Sequence, residues 1–330
     1  MLTEQKRFAC LALVLVACSS EARETPANGS AASPSQTELS ERSLDTLSRI
    51  QKARDEETLS SLYAADVELD AAHRWRHAVV FDRDPMLKGL RKRLETGNKQ
   101  TALLDIVRGA RAAQVQLHLE HRSGNSTPIR FTTIAEYEFD DDGRVYRAVF
   151  WRDHVARRKL LGEALPGPPV VAQLFNEKRR AVVARFDESE QRNVELSGRL
   201  IEAASSGERE AFEALLGETL RVVDFTGVPP RTMSRRELGQ EISARHAAIE
   251  VSRARVLESW GAADWTVTRF HEGYRAARDL PDLPGSAGKN VGNYHLWLIR
   301  FEAERVVELL RIHSRGHEFA QLGIKATKPQ

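Results

Sequence analysis

The sequence predicts an α+β class with two tandem domains, each packing helices on one concave antiparallel sheet. Three observations carry that expectation. Helices, a short acidic strand, a middle helix and then long strands run in that order over residues 39–165 and again over 190–325. Along the long strands apolar residues alternate, as Val115, Leu117 and Leu119 do, the pattern of a sheet with one buried face. Between two such strands, Asp140 to Gly143 is a strong hairpin signal.

Ahead of these segments, Lys6 and Arg7 precede an apolar run from Phe8 to Ala17, which reads as a secretory signal over residues 1–17. The run is about half the ~20 apolar residues that span a bilayer, so a transmembrane helix is not expected. It ends Leu15, Val16, Ala17, Cys18, and this resembles the lipobox of bacterial lipoproteins. The resemblance implies cleavage before Cys18, lipid on its thiol and a membrane-anchored protein. With Ser19 rather than Asp next, it implies the outer membrane of a Gram-negative envelope. A multiply acylated cysteine anchors stably, because each buried CH2 contributes ~0.8 kcal/mol. The plainer alternative is an ordinary signal peptide that happens to contain a cysteine. Cys10, the other cysteine, lies within the removed piece, so the mature chain is expected to carry no disulfide and no free thiol. Residues 18–38, rich in small and polar types, read as a flexible tether.

In the first domain Leu44, Leu47 and Ile50, then Leu59 and Leu62, have helical spacing, and Val67 to Asp70 is strand-like. Pro85 opens a helix with Leu87, Leu90 and Leu94 on one face and Gly97 as its stop. Strands are expected at 103–107, 113–121, 129–139 and 145–151. In the second domain Leu200, Ile201, Phe212 and Leu215 open with helices, and Leu220 to Asp224 parallels Val67 to Asp70. Ser234 with Glu237 makes a capping box leading into Leu238 and Ile242. Strands follow at 254–260, 265–276, 293–301 and 306–313. Between the domains, residues 166–189 read as a linker helix whose bases, Lys178 to Arg180 and Arg185, form a solvated face.

Charge is high but balanced, with 49 basic against 47 acidic residues and a net +2, and no basic block is interleaved with aromatics, so no nucleic acid is expected. No phosphate loop, Ser-His-Asp order or zinc signature is present, and no cofactor is expected. On a strand His118 and Glu120 share a face while His121 points away, and His73 with His77 lacks a third ligand, so no metal is expected.

The element order resembles that of nuclear transport factor two, ketosteroid isomerase and the SnoaL-like polyketide cyclases. The local match lies at each domain's end. Phe150, Trp151, Arg152 and Asp153 are followed by Leu160, Leu161 and Gly162, where the SnoaL-like pattern has Gln-Leu-Gly. The second domain keeps Gln321, Leu322 and Gly323 but has Ser314 in place of the Asp. This resemblance implies a cone-shaped fold enclosing a pocket, with Asp153, beside His154, at the position of a proton-transferring carboxylate. Against that role, Asp153 has Arg152, Arg157 and Arg158 at hand for a surface salt bridge.

Candidate pocket residues are Trp75 and His118 in the first domain and Asp224, His271, His295, Trp297 and His313 in the second, with Trp260, Trp265 and Tyr274 nearby. The bland alternative makes the tryptophans packing residues and the histidines a wet rim. Two functions follow. One is a lipid-anchored envelope protein whose pockets bind a small apolar ligand or a protein partner without catalysis. The other is an isomerase, cyclase or dehydratase acting through Asp153. Either is compatible with the two sheets packing on each other as an internal pseudo-dimer.

Overall fold

A computed structural model describes residues 34–70, 79–121, 128–160, 162, 165, 178–225, 230–280, 283–313 and 315–323. Cys18, Trp75 and both His73 and His77 lie outside the described residues, as does the whole of 1–33.

The first half opens with α1 (Gln36–Lys52), whose N-terminal amides are satisfied by a Ser35–Glu38 capping box and whose buried stripe includes Leu39, Leu47 and Ile50. α2 (Glu56–Ser61) leads into β1 (Tyr63–Asp70), then β2 (Val79–Phe81) and α3 (Asp84–Thr96), which Gly97 ends in the left-handed region at φ 67°. Four longer strands follow: β3 (Lys99–Arg108), β4 (Arg111–Glu120), β5 (Ile129–Phe139) and β6 (Val145–Trp151). The expected hairpin turn joins the last two, with Gly143 at φ 79° and its amide donating to Asp140 O. A short helix, α4 (His154–Leu160), closes the half.

The second half repeats the sequence of elements: α5 (Glu188–Ser206), α6 (Arg209–Ala214), β8 (Leu216–Asp224), β9 (Arg231–Ser234), α7 (Arg235–His246), β10 (Ile249–Ala262), β11 (Trp265–Ala276), β12 (Asn290–Glu302), β13 (Arg305–His313) and α8 (Arg315–Leu322). The Ser234–Glu237 capping box is present as expected. Helices therefore pack on a curved sheet in each half, the α+β arrangement that the sequence predicts.

Two expectations need correction. The sheets are mixed, not antiparallel throughout: with β7 at Arg180–Val183, their orders are β2-β1-β6-β5-β4-β3-β7 and β10-β11-β12-β13-β8-β9, with β1 parallel to β6 and β8 parallel to β13. The early strand of each half is brought back beside the last one, a pairing that apolar alternation cannot distinguish from a hairpin. The second correction concerns the linker. Where it is described it is not helical before Glu188; Arg180–Val183 is strand β7, parallel to β3, with Leu104 opposite Arg180. Val182 and Val183 favour extended backbone. Nor are the linker's bases simply solvated, since Arg179 Nε lies 2.7 Å from the fully buried Asp105.

One core joins the two halves. Leu104, Ile106, Val115, Ile134 and Trp151 from the first sheet cluster with Trp260, Trp265, Val267, Leu298 and Leu310 from the second. The sheets meet through their outer faces, so period-2 alternation leaves the opposite faces for each half's own helices. Charged contacts ring this junction: Arg108 reaches Glu190 at 2.5 Å, and Arg111 reaches Glu258 at 2.6 Å. Among the described residues no helix is long and apolar enough to cross a membrane.

Candidate functional site

The inner face of the second sheet frames a cavity of about 730 Å³. β11 alternates along its length, and Phe270, Glu272 and Tyr274 point inward. On β12 the same alternation brings His295 and Trp297 to that face, and on β13 it brings Arg311 and His313. Ile201 of α5 and Ile242 of α7 complete the apolar wall, while Leu280 and Leu283 come from the segment after β11.

Every arginine at the inner end is held by carboxylates. Arg245 grips Glu272 with two hydrogen bonds, Nη1 to Oε1 at 2.8 Å and Nη2 to Oε2 at 2.7 Å, and Ser252 Oγ adds a third at 2.7 Å. Burial would raise the Glu272 carboxyl, but His295 and the Arg245 guanidinium outweigh it and hold the group well below its ordinary range. Arg311 lies between two acids, 3.1 Å from Asp224 Oδ2 and 2.5 Å from Glu241 Oε1. Glu241 is shared in turn with Arg231 at 3.0 Å. Tyr274 donates its hydroxyl to Glu318 of α8 at 3.0 Å.

The two imidazoles are kept neutral. His295 stacks flat on Phe270, with centroids 4.7 Å apart and 5° between planes, and Phe270 meets Trp297 edge-on at 5.2 Å. Burial lowers the His295 pKa although Glu272 partly opposes it. His313, whose ring centre is 5.5 Å from that of His295, is lowered to about 3 by burial, with Asp224 partly opposing. The inner end thus offers neutral hydrogen-bonding nitrogens beside aromatic walls, with its fixed charges already compensated.

Of the sequence candidates, the structure brings Asp224, His295, Trp297 and His313 together in this cavity. His271 does not belong with them. It sits one residue out of phase with Phe270 and Glu272, on the opposite face of the sheet, where its ring meets Tyr294 edge-on at 4.9 Å. His118 lies in the first half, where Nε2 is 2.8 Å from Thr133 Oγ1 and the ring stacks on Phe131. Burial, then Arg152, Arg93 and Arg157, push its pKa well down. Around it the inner face is occupied by a side-chain network: Gln114 donates to Asp105, and Gln116 donates to Gln114 Oε1 and to Tyr137. Trp260 and Trp265 are junction residues.

Asp153 is buried, but it is not a free base. Its Oδ2 meets Arg315 of the other half at 2.7 Å (Nε) and 2.5 Å (Nη2), and its Oδ1 accepts the Val155 and Ala156 amides of α4. Burial raises its pKa, and Arg315 opposes that rise. The expected neighbours Arg152, Arg157 and Arg158 are not the partners that the geometry supplies; Arg157 pairs with Glu120. His154 begins α4, and its side chain is not among those described.

Sequence reasoning missed Glu272, Arg245, Arg311 and Glu241. The alternation Phe270, Glu272, Tyr274 was available as a signal for the first of these. The arginines come from elements far apart in sequence and carried none.

No known family's sequence profile matches the chain, and neither does any curated protein. Similar solved structures include IdmH of Streptomyces antibioticus, proposed as a polyketide cyclase, at 20% identity over 40% of this chain and 98% of that one, with TM-score 0.35. An LEH-like epoxide hydrolase from M. tuberculosis is similar at 9% identity over 41% and 91%, with TM-score 0.34. A SnoaL-like protein of Jannaschia sp. CCS1, also proposed as a polyketide cyclase, gives 13% over 42% and 96%, with TM-score 0.37. At these values the likeness carries no argument about activity, and the fold class rests on the chain's own strand order and helix placement.

Proposed function

We propose that this protein is a lipid-anchored envelope protein whose second half binds a small, largely apolar molecule, while its first half is a structural partner packed against it as an internal pseudo-dimer. The observation that carries the binding reading is the 730 Å³ cavity, walled by Ile201, Ile242, Phe270 and Trp297 and lined at its inner end by compensated charges and neutral imidazoles. A concave apolar site with a few convergent polar groups is the usual form of a small-molecule pocket. The first half supports the division of labour, because Gln114, Gln116 and Tyr137 fill its inner face with hydrogen bonds to one another. Catalysis through Asp153 is the weaker reading: a proton-transferring base needs a lone pair facing substrate, and here both oxygens are engaged, one by Arg315. The anchoring rests on the residues ending in Cys18.

The test is native mass spectrometry of the full chain purified from its own envelope. Retention of a small molecule by the wild type, lost in Ala244→Trp at the cavity rim, supports the reading. A bare chain in both cases, with no small molecule recovered by denaturing extraction, contradicts it.

A further inference from the structure

The orientation of one imidazole says more about the occupant. His295 Nε2 is buried and makes no hydrogen bond, and Glu272 Oε2 lies 3.4 Å from it. That carboxylate is fixed by Arg245 and Ser252 and can only accept. A lone pair on Nε2 would be repelled by that fixed negative charge, so the proton belongs on this nitrogen. In a neutral imidazole the other nitrogen then has the lone pair, so Nδ1 is an acceptor on a ring that lines the cavity. Phe270, stacked 4.7 Å away, holds the ring plane in place.

Charge narrows the choice further. Arg245 and Arg311 are already matched by Glu272, Asp224 and Glu241. An ionised occupant at this end would give up its hydration without gaining a free counter-charge. We propose that the ligand is an uncharged ring compound bearing a hydroxyl whose O–H donates to His295 Nδ1, its ring lying against Phe270 and Trp297. This rests on the binding reading above and names its ligand class.

The test uses three probes on the full chain at pH 7, followed by isothermal titration: 2-naphthol, 2-methoxynaphthalene and 2-naphthoate. The expected result is saturable binding of 2-naphthol, about tenfold weaker binding of the methyl ether, and weaker binding still of the carboxylate. In His295→Leu the naphthol preference should vanish while both neutral probes still bind. Should that variant not fold, the wild-type series decides alone, and His295→Gln, which keeps an acceptor, should retain the preference. Equal binding of naphthol and its ether overturns the hydroxyl assignment and leaves the cavity reading standing, as does tightest binding of the naphthoate, which would point to Arg278 at the mouth. No binding of any probe removes both readings.

Discussion

Asp153 and Arg315, 162 residues apart, form a buried ion pair across the two halves, with side chains only 1% and 5% exposed. Each sits at the N-terminal end of the helix that follows its half's last strand, so the pair fastens α4 to α8. Removing one partner of a buried pair leaves an uncompensated charge, which costs about 3–5 kcal/mol. Arg315→Met is therefore expected to lower unfolding stability by roughly that amount in urea titrations. The double variant Asp153→Asn, Arg315→Met should lose clearly less than Arg315→Met alone. A larger loss in the double variant would show that the residues do not act as a pair.

The junction core gives a second expectation. Trp265 is 2% exposed and packs against both sheets' outer faces. Trp265→Ala should cost about 3–5 kcal/mol, as large-to-small changes in a core do. A loss within 0.5 kcal/mol of zero would mean that the sheets do not rely on each other.

The buried imidazoles predict a pH dependence with a definite sign. His313 has its folded pKa at about 3, below the ordinary value of 6.5, so between those limits the unfolded chain binds the extra proton. Stability then rises with pH across this window and falls on acidification, by at most about 1.4 kcal/mol per pH unit for one group. His118 and His295 are also lowered and add in the same direction. Urea midpoints from pH 4 to 7 should drop towards acid in the wild type and drop less steeply in His313→Gln. Parallel curves for the two proteins would place His313 in solvent.

The proposed lipid anchor on Cys18 predicts a fractionation result. The native chain should begin at an acylated Cys18 and sediment with the envelope, and Cys18→Ser should release it. A variant that sediments like the wild type would remove the lipid from the account.

How much of this was legible beforehand depended on range. Ser234 with Glu237, Gly97 and Gly143 act on neighbours a few residues away, so the caps and the hairpin turn could be read directly. His295 and Trp297 could be placed on one face by strand alternation. Alternation does not say which face is concave, so it leaves His271 and Glu272 equally eligible although they point to opposite faces and only Glu272 lines the cavity. Strand β7 was hidden because Lys178, Arg179 and Arg180 read as a solvated helix; its pairing with β3 is set by a strand some 75 residues earlier, as the 74-residue separation of Arg179 from Asp105 illustrates. The partner of Asp153 was out of reach for the same reason. Nearby arginines were the obvious choice, and only the docking of the two halves brings Arg315 there.

Occupancy of the second-half cavity is open to a titration of the full chain with naphthalene, comparing wild type with Ala244→Trp. One saturable site in the wild type, weakened at least about tenfold by the tryptophan while far-UV circular dichroism stays the same, is the predicted result. Equal binding by both proteins, or uptake that never saturates, would contradict it.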